Sequence, residues 1–266
     1  MGELRAYAAL GSAQVRSVMS YRVSFLAEMV ANMGATVFDV LAVLVLFRAT
    51  PQVGGFSLRE AVLIVGLSSA GFALADLLVG NVDHLKNYVR AGTLDTVLIR
   101  PLGVLPQLLL MDLPLRKLLR VIFSFAVLGG AIAINDVDWT PARLGLVVLA
   151  PVAGCVFFSS IFVLSASLAF WWVDSGEIGA AFTYGGRDFT SYPITVYSGW
   201  FRALFAYTIG FAFVAYQPAL TLLGRTDPLG LPAWAGFLSP LVALVAAVIA
   251  GGVWRTGIRH YRSTGS

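Results

Sequence analysis

A chain of 266 residues that is 58% hydrophobic and 12% charged carries about half the charge of a soluble domain of that size, which excludes a soluble fold and indicates one integral membrane domain. The formal net charge of +4 is small, so it argues for topology and gives no support to nucleic-acid binding. The single cysteine, Cys155, lies inside an apolar run, so no disulfide can form within the chain and a packed hydrophobe is expected there.

In chain order, Gly2 to Arg22 mixes apolar residues with Arg5, Gln14 and Arg16, the pattern of an interfacial amphipathic helix, and no cleavable signal peptide is visible. A first span is expected over about 25–47, with Glu28, Asn32 and Asp39 inside it, and a second over about 61–79, with Asp76 near its end. Between Gly103 and Lys117 the chain reads as an interfacial approach helix. A third span, 118–134, is short for a crossing, and a fourth, 144–173, is about ten residues longer than one needs. Asp174 to Trp200 is polar and aromatic with five glycines, and reads as a linker. The fifth and sixth spans are expected over 201–223 and 234–254, and a basic tail carries Arg255, Arg259, His260 and Arg262.

Six spans put both termini on one side. Fourteen of the eighteen basic residues then share that side, and only Arg48, Arg59, Arg143 and Arg225 lie opposite. Basic residues mark the cytoplasm, so the termini, the segment after the second span and the Asp174–Trp200 linker are expected to be cytoplasmic.

The stretch from Asp83 to Leu102 is too patterned for a plain loop. Leu85, Tyr88 and Val89 fall at i, i+3, i+4, and Leu94, Val97 and Leu98 repeat that face after a break at Gly92. Thr93 is expected to cap the second turn, with Asp95 near its positive end. The pattern predicts two short amphipathic helices at a membrane surface, basic on the wet side. They would lie on headgroups or be gripped by another protein.

No chemistry of its own is legible. The sequence has no GxxxxGK[ST] phosphate loop, no HExxH or Cys/His cluster and no GxSxG elbow. No catalytic or metal-ligating residue is therefore assigned. Asp39, near the middle of the first span, is the costliest charge to bury, and either lines a path or is a hydrogen-bonded packing residue. A chain that cannot hydrolyse ATP but offers helices at the surface suits a partner that can.

At this point the residues resemble a family. Gly92 to Leu102, GTLDTVLIRPL, is similar to a recurring signature of ABC-2 type permeases, the membrane subunits of ATP-binding cassette exporters. Two further matches are Tyr192 to Arg202, YPITVYSGWFR, and Phe211 to Gly224, FAFVAYQPALTLLG. Gly210 stands where that pattern has proline, and Tyr197-Ser198 where it has an aromatic–proline pair. The resemblance implies an all-α polytopic fold with six transmembrane helices, an N-terminal interfacial helix and cytoplasmic coupling helices. It implies an exporter in the bacterial cell membrane, moving amphipathic, lipid-like or drug-like molecules outward along a permease–permease interface. Two cytoplasmic ATPase subunits, which bind the ATP and Mg, and a second permease, homologous or identical, would be the partners. Lys86, Arg90, Asp95 and Arg100 are then the expected wet contacts of the coupling helices, with Tyr88 and Leu98 packing. Asp39, Phe205 and Phe211 are candidates for a substrate path. Two other readings stay open on sequence alone: a membrane scaffold that transports nothing, and a proton-coupled carrier using Asp39.

Overall fold

The computed structural model describes residues 22–111 and 117–261, with backbone only for several positions between 22 and 39 and for Met111 and Val173. The interfacial helix expected over 1–22 lies outside the described residues, as do Asp112, Arg116 and Arg262. Among the described residues the fold is all-α, with one isolated bridge between Val53 and Phe56.

Two helices form the centre. The first, α2 (Leu58–Leu78), follows α1 (Arg22–Ala49) and begins at Ser57, whose backbone N–H and hydroxyl both donate to Glu60 Oε2, at 2.7 and 2.9 Å. The Glu60 carboxylate, reaching back to Ser57, satisfies the N-cap N–H in the manner of a capping box. The second, α7 (Pro141–Ser167), starts on Thr140, whose hydroxyl accepts from the Arg143 N–H, and has Pro141 in its first turn. A 3-10 turn extends it to Phe170. Gly71 and Gly154 bring the two backbones into contact, since a Cβ on Gly71 would stand 3.0 Å from the Gly154 Cα. In lipid, small residues at a crossing replace the hydrophobic drive that water supplies.

Around this pair stand α6 (Leu118–Ile134), which meets α2 where Gly66 faces Leu128, and α11 (Ser239–His260), with a 3-10 lead-in from Ala233. The spans containing α2 and α7 are 78% and 67% buried, against 28% for the one containing α11. The outer face of α11, with Leu244 and Val248 exposed, is thus left for lipid or another subunit. These three are the described helices long and apolar enough to cross a membrane unaided, while α6 and the Val40–Ala49 part of α1 are shorter apolar stretches.

Residues 174–223 depart most from expectation. The supposed linker contains α8 (Gly176–Thr190), which lies along the bundle with one face buried and the other exposed. Its Gly179 lies against Ser165 of α7, its Gly186 against Phe211, and its Thr190 hydroxyl meets that of Ser68, midway along α2, at 2.6 Å. The chain continues to Thr195, whose hydroxyl donates to the Gly54 carbonyl in the loop between α1 and α2, 2.7 Å away. The segment from Asp174 therefore travels the length of the bundle, from the end holding Lys86 to the end holding Arg59.

The expected fifth span, 201–223, is in turn not one helix. It consists of α9 (Gly199–Arg202, continued by a π-helical turn to Thr208), a 3-10 turn Phe211–Phe213 and α10 (Tyr216–Leu223). Gly210 breaks it at φ 102°, a conformation costly for any residue with a Cβ. Both ends of this piece return to the Arg59 end. Past α10, Arg225 donates to Glu60 Oε1 at 2.7 Å and to the Gly55 carbonyl at 3.0 Å. Its tip at Gly210 reaches Phe157, halfway down α7. The piece is a hairpin whose two ends lie at the Arg59 end and whose tip turns back against α7. Arg202 lies with it at the Arg59 end and Arg187 is buried between the helices, so among the described residues eight basic residues lie toward the Lys86 end and five opposite. The charge asymmetry is smaller than expected but keeps its sense.

Candidate coupling surface

At the Lys86 end the chain leaves α2 through a 3-10 turn, Gly80–His84, into α3 (Leu85–Arg90) and α4 (Leu94–Leu98), then α5 (Val104–Met111). Leu85, Val89, Leu94 and Val97 are each at most 2% exposed, so both amphipathic faces point into the core as their spacing predicts. Tyr88 and Leu98 are half-buried against the same core. Gly92 makes the break at φ 64°. Thr93 does not cap α4: its backbone is already helical, and its hydroxyl turns back to donate to the Tyr88 carbonyl at 3.3 Å.

Side-chain amides hold the element from below. Asn81 donates to the Leu108 carbonyl at 2.8 Å, and Gln107 donates to those of Val97 and Leu102 at 3.2 and 3.1 Å. Deeper, Asp76 is 2% exposed and is gripped by Lys117 at 2.5 Å and Arg120 at 2.9 Å. The Arg120 guanidinium also lies over the Phe72 ring, 5.0 Å from its centroid.

The expected wet contacts face two ways. Arg90 pairs with Asp174, and Lys86 approaches Glu177 at 3.9 Å, so both tie the element to the start of α8. Asp95 is half-buried and its charge acts on Tyr261 at the end of α11. Arg100 is exposed. Beside it stands a residue the sequence reading passed over: Ile99, 84% exposed on a polar surface. The signal was present, because 99 falls off the 94, 97, 98 face and should have been polar on a solvated helix.

Asp83 links the element to α8 as well. Its carboxylate accepts from the Tyr184 hydroxyl at 3.3 Å. Burial pushes its pKa up to about 6; the Asp76 charge adds to this, while the Tyr184 bond, Lys117 and Lys86 pull the other way. An acid whose folded pKa is raised stabilises the fold at low pH and loses that contribution as pH rises from about 4 through about 6. Thermal unfolding of wild type and Asp83→Asn is therefore expected to show the wild type losing more stability between pH 5 and 7.5. Equal losses would show that burial at Asp83 is not felt.

The other candidates lie elsewhere. Phe211 is 1% exposed, inside a cluster with Phe157, Phe158, Phe182 and Phe189, and Phe205 is half-buried, stacked on Phe201 at 4.5 Å. Within this chain both pack the hairpin against α7 and α8. Asp39 lies on α1, and its side chain is outside the described residues.

A bundle of apolar helices with a packed, ion-paired helix pair standing at one end is that of an all-α polytopic membrane protein. The family model of ABC-2 family transporter proteins matches residues 33–265, nearly the whole chain, and the protein belongs to that family. It is accordingly the membrane subunit, or permease, of an ABC transporter. No curated protein and no solved structure matches the chain.

Proposed function

We propose that this permease serves an ATP-driven exporter, and that its ATPase docks on the surface of α3 and α4. The observation that carries the reading is Ile99, a large apolar side chain held out at 84% exposure on an element otherwise packed, hydrogen-bonded and ion-paired to the bundle. Leaving such a side chain in water forgoes about 1.5–3 kcal/mol that a covering partner would recover. Arg100 beside it supplies a charge for an acidic rim.

The basic end is then cytoplasmic and holds both termini, with α1, α2, α6, α7, α8 and α11 as the six crossings. Two ATPase subunits, carrying ATP and Mg, would drive two permeases, the second a like or identical chain. Amphipathic, lipid-like or drug-like substrates would move outward along the permease interface. Motion of the ATPase passes through Arg90–Asp174 and Lys86–Glu177 to α8, which is packed at its far end on the hairpin. The element thus moves a helix that spans the bundle.

The test is a charge exchange in the complex purified with its ATPase. Arg90→Asp and Asp174→Arg singly are expected to cut substrate-stimulated ATP hydrolysis several-fold, and the double variant to restore much of it. Single variants as active as wild type would remove this route of coupling.

A further inference from the structure

The seam between α6 and α7 is open on its outer side, away from α2. Pro151 lies inside α7, where it lacks the N–H that would close a turn. Opposite it, Gly129 contributes no side chain, and a Cβ there would meet nothing within 4 Å. Between them runs a groove of about 350 Å³, walled by Phe125 and Ile132 of α6 and Val148 and Val152 of α7. Its lining is almost wholly apolar, and Val148 and Val152 are 66% and 50% exposed. In a membrane protein this surface faces hydrocarbon, so the groove admits an alkyl chain without loss of hydrogen bonds.

Ile132 also walls a second hollow, of about 460 Å³, under the α6–α7 turn. This one is polar, with Asn135, Asp136, Asp138 and Trp139 in its wall. The Asn135 amide N–H groups donate to the Arg59 and Ala131 carbonyls, at 2.8 and 2.7 Å, leaving the amide oxygen as an acceptor. Asp138 pairs with Arg143 at 3.5 Å but keeps its side chain 95% exposed, and Asp136 is exposed with no ion pair among the described residues. Trp139, 51% exposed, offers a ring face at the depth where aromatic residues meet headgroups. Arg59, whose carbonyl accepts from Asn135, is exposed and brings a positive charge into the neighbourhood.

We infer that the two hollows hold one phospholipid with a primary-ammonium, zwitterionic headgroup, its acyl chain along Gly129 and Pro151 and its ammonium among Asn135, Asp136 and Trp139. The order of the two hollows matches the order of tail and head in a lipid entering from the Arg59 side. The short α6 strengthens the argument. At 17 residues it is about 26 Å long, a few ångströms short of the hydrocarbon thickness, so its end lies at the hydrocarbon boundary and the polar turn after it is the part that meets the headgroups. Acceptors for N–H donors, an aromatic face for a cation and one arginine for a phosphate together suit ethanolamine better than glycerol.

The experiment is native mass spectrometry of the delipidated protein titrated with phosphatidylethanolamine or phosphatidylglycerol. One phosphatidylethanolamine adduct is expected, at least fivefold more occupied than the phosphatidylglycerol adduct. Gly129→Leu, which fills the groove, is expected to abolish it, whereas Gly252→Leu, at an equally open position on α11, leaves it unchanged. Asp136→Asn, on an exposed carboxylate and so free of folding effects, is expected to bring the two lipids within twofold of each other. Equal occupancy of both lipids in the wild type, no adduct with either, or a preference untouched by Asp136→Asn would each overturn the assignment.

Discussion

Replacing Asp76 with alanine is expected to lower the unfolding free energy by about 3–5 kcal/mol, the range measured when one partner of a buried ion pair is removed. Asp76 is 2% exposed, and its two oxygens are divided between Lys117 and Arg120, whose side chains are 17% and 8% exposed. With the carboxylate gone, Lys117 and Arg120 lose their shared partner, and Arg120 stays over the Phe72 ring, where the Arg187 guanidinium already lies 5.3 Å from the centroid. No described anion takes its place on Arg120, whose Nε has no partner even in the intact site. The same logic predicts rescue. Adding Lys117→Met and Arg120→Met to Asp76→Ala removes the stranded charges and is expected to recover most of the loss. Thermal unfolding in a fixed detergent would measure both. A single variant as stable as wild type would mean that water reaches this cluster.

The larger functional effect is expected at Ile99. Ile99→Glu exchanges an apolar knob for a charge on a side chain that touches little of its own protein, so folding and membrane insertion should be unchanged. Under the docking account it loses about 1.5–3 kcal/mol of apolar burial and adds the desolvation of a carboxylate. Each 1.4 kcal/mol is tenfold in affinity, so recovery of the ATPase with the permease is expected to fall at least tenfold, and ATP-dependent transport with it. Leu94 and Val97 are a poorer test, because both are buried and their loss would disturb the element itself.

How much of this was legible in the sequence depended on which physical signal a segment carries. The α3–α4 pair was readable because its buried face repeats at 85, 88, 89 and 94, 97, 98, and Gly92 marks the break. The long spans α2, α7 and α11 were readable from length and hydropathy alone. The α8 region was not. Its glycines read as loop punctuation, whereas Gly179 and Gly186 are contact points that let the helix lie close to Ser165 and Phe211. Its Arg187 is 8% exposed in the bundle, lying on Phe72, a placement no window average reports.

The hairpin misled for the opposite reason. Residues 201–223 are apolar enough to cross, and only Gly210 signals that they are not one continuous helix. A hydropathy window measures how apolar a segment is and is blind to where its ends return. Here the return is fixed by Thr195 on Gly54 and Arg225 on Glu60, contacts about 140 and 165 residues apart in sequence. The ion pairs Arg90–Asp174 and Lys86–Glu177 were out of reach for the same reason: both acids lie in the segment taken for a linker. The packed helix pair was therefore legible in the sequence, but the helix it is fastened to was not.

Labelling of Ile99→Cys with a membrane-impermeant maleimide tests the central claim most directly, since the native Cys155 is buried and gives little background. The account predicts rapid labelling in inside-out vesicles stripped of the ATPase, strong protection when the ATPase is restored, and no labelling in intact cells. Labelling in intact cells, or a rate indifferent to the ATPase, would contradict it.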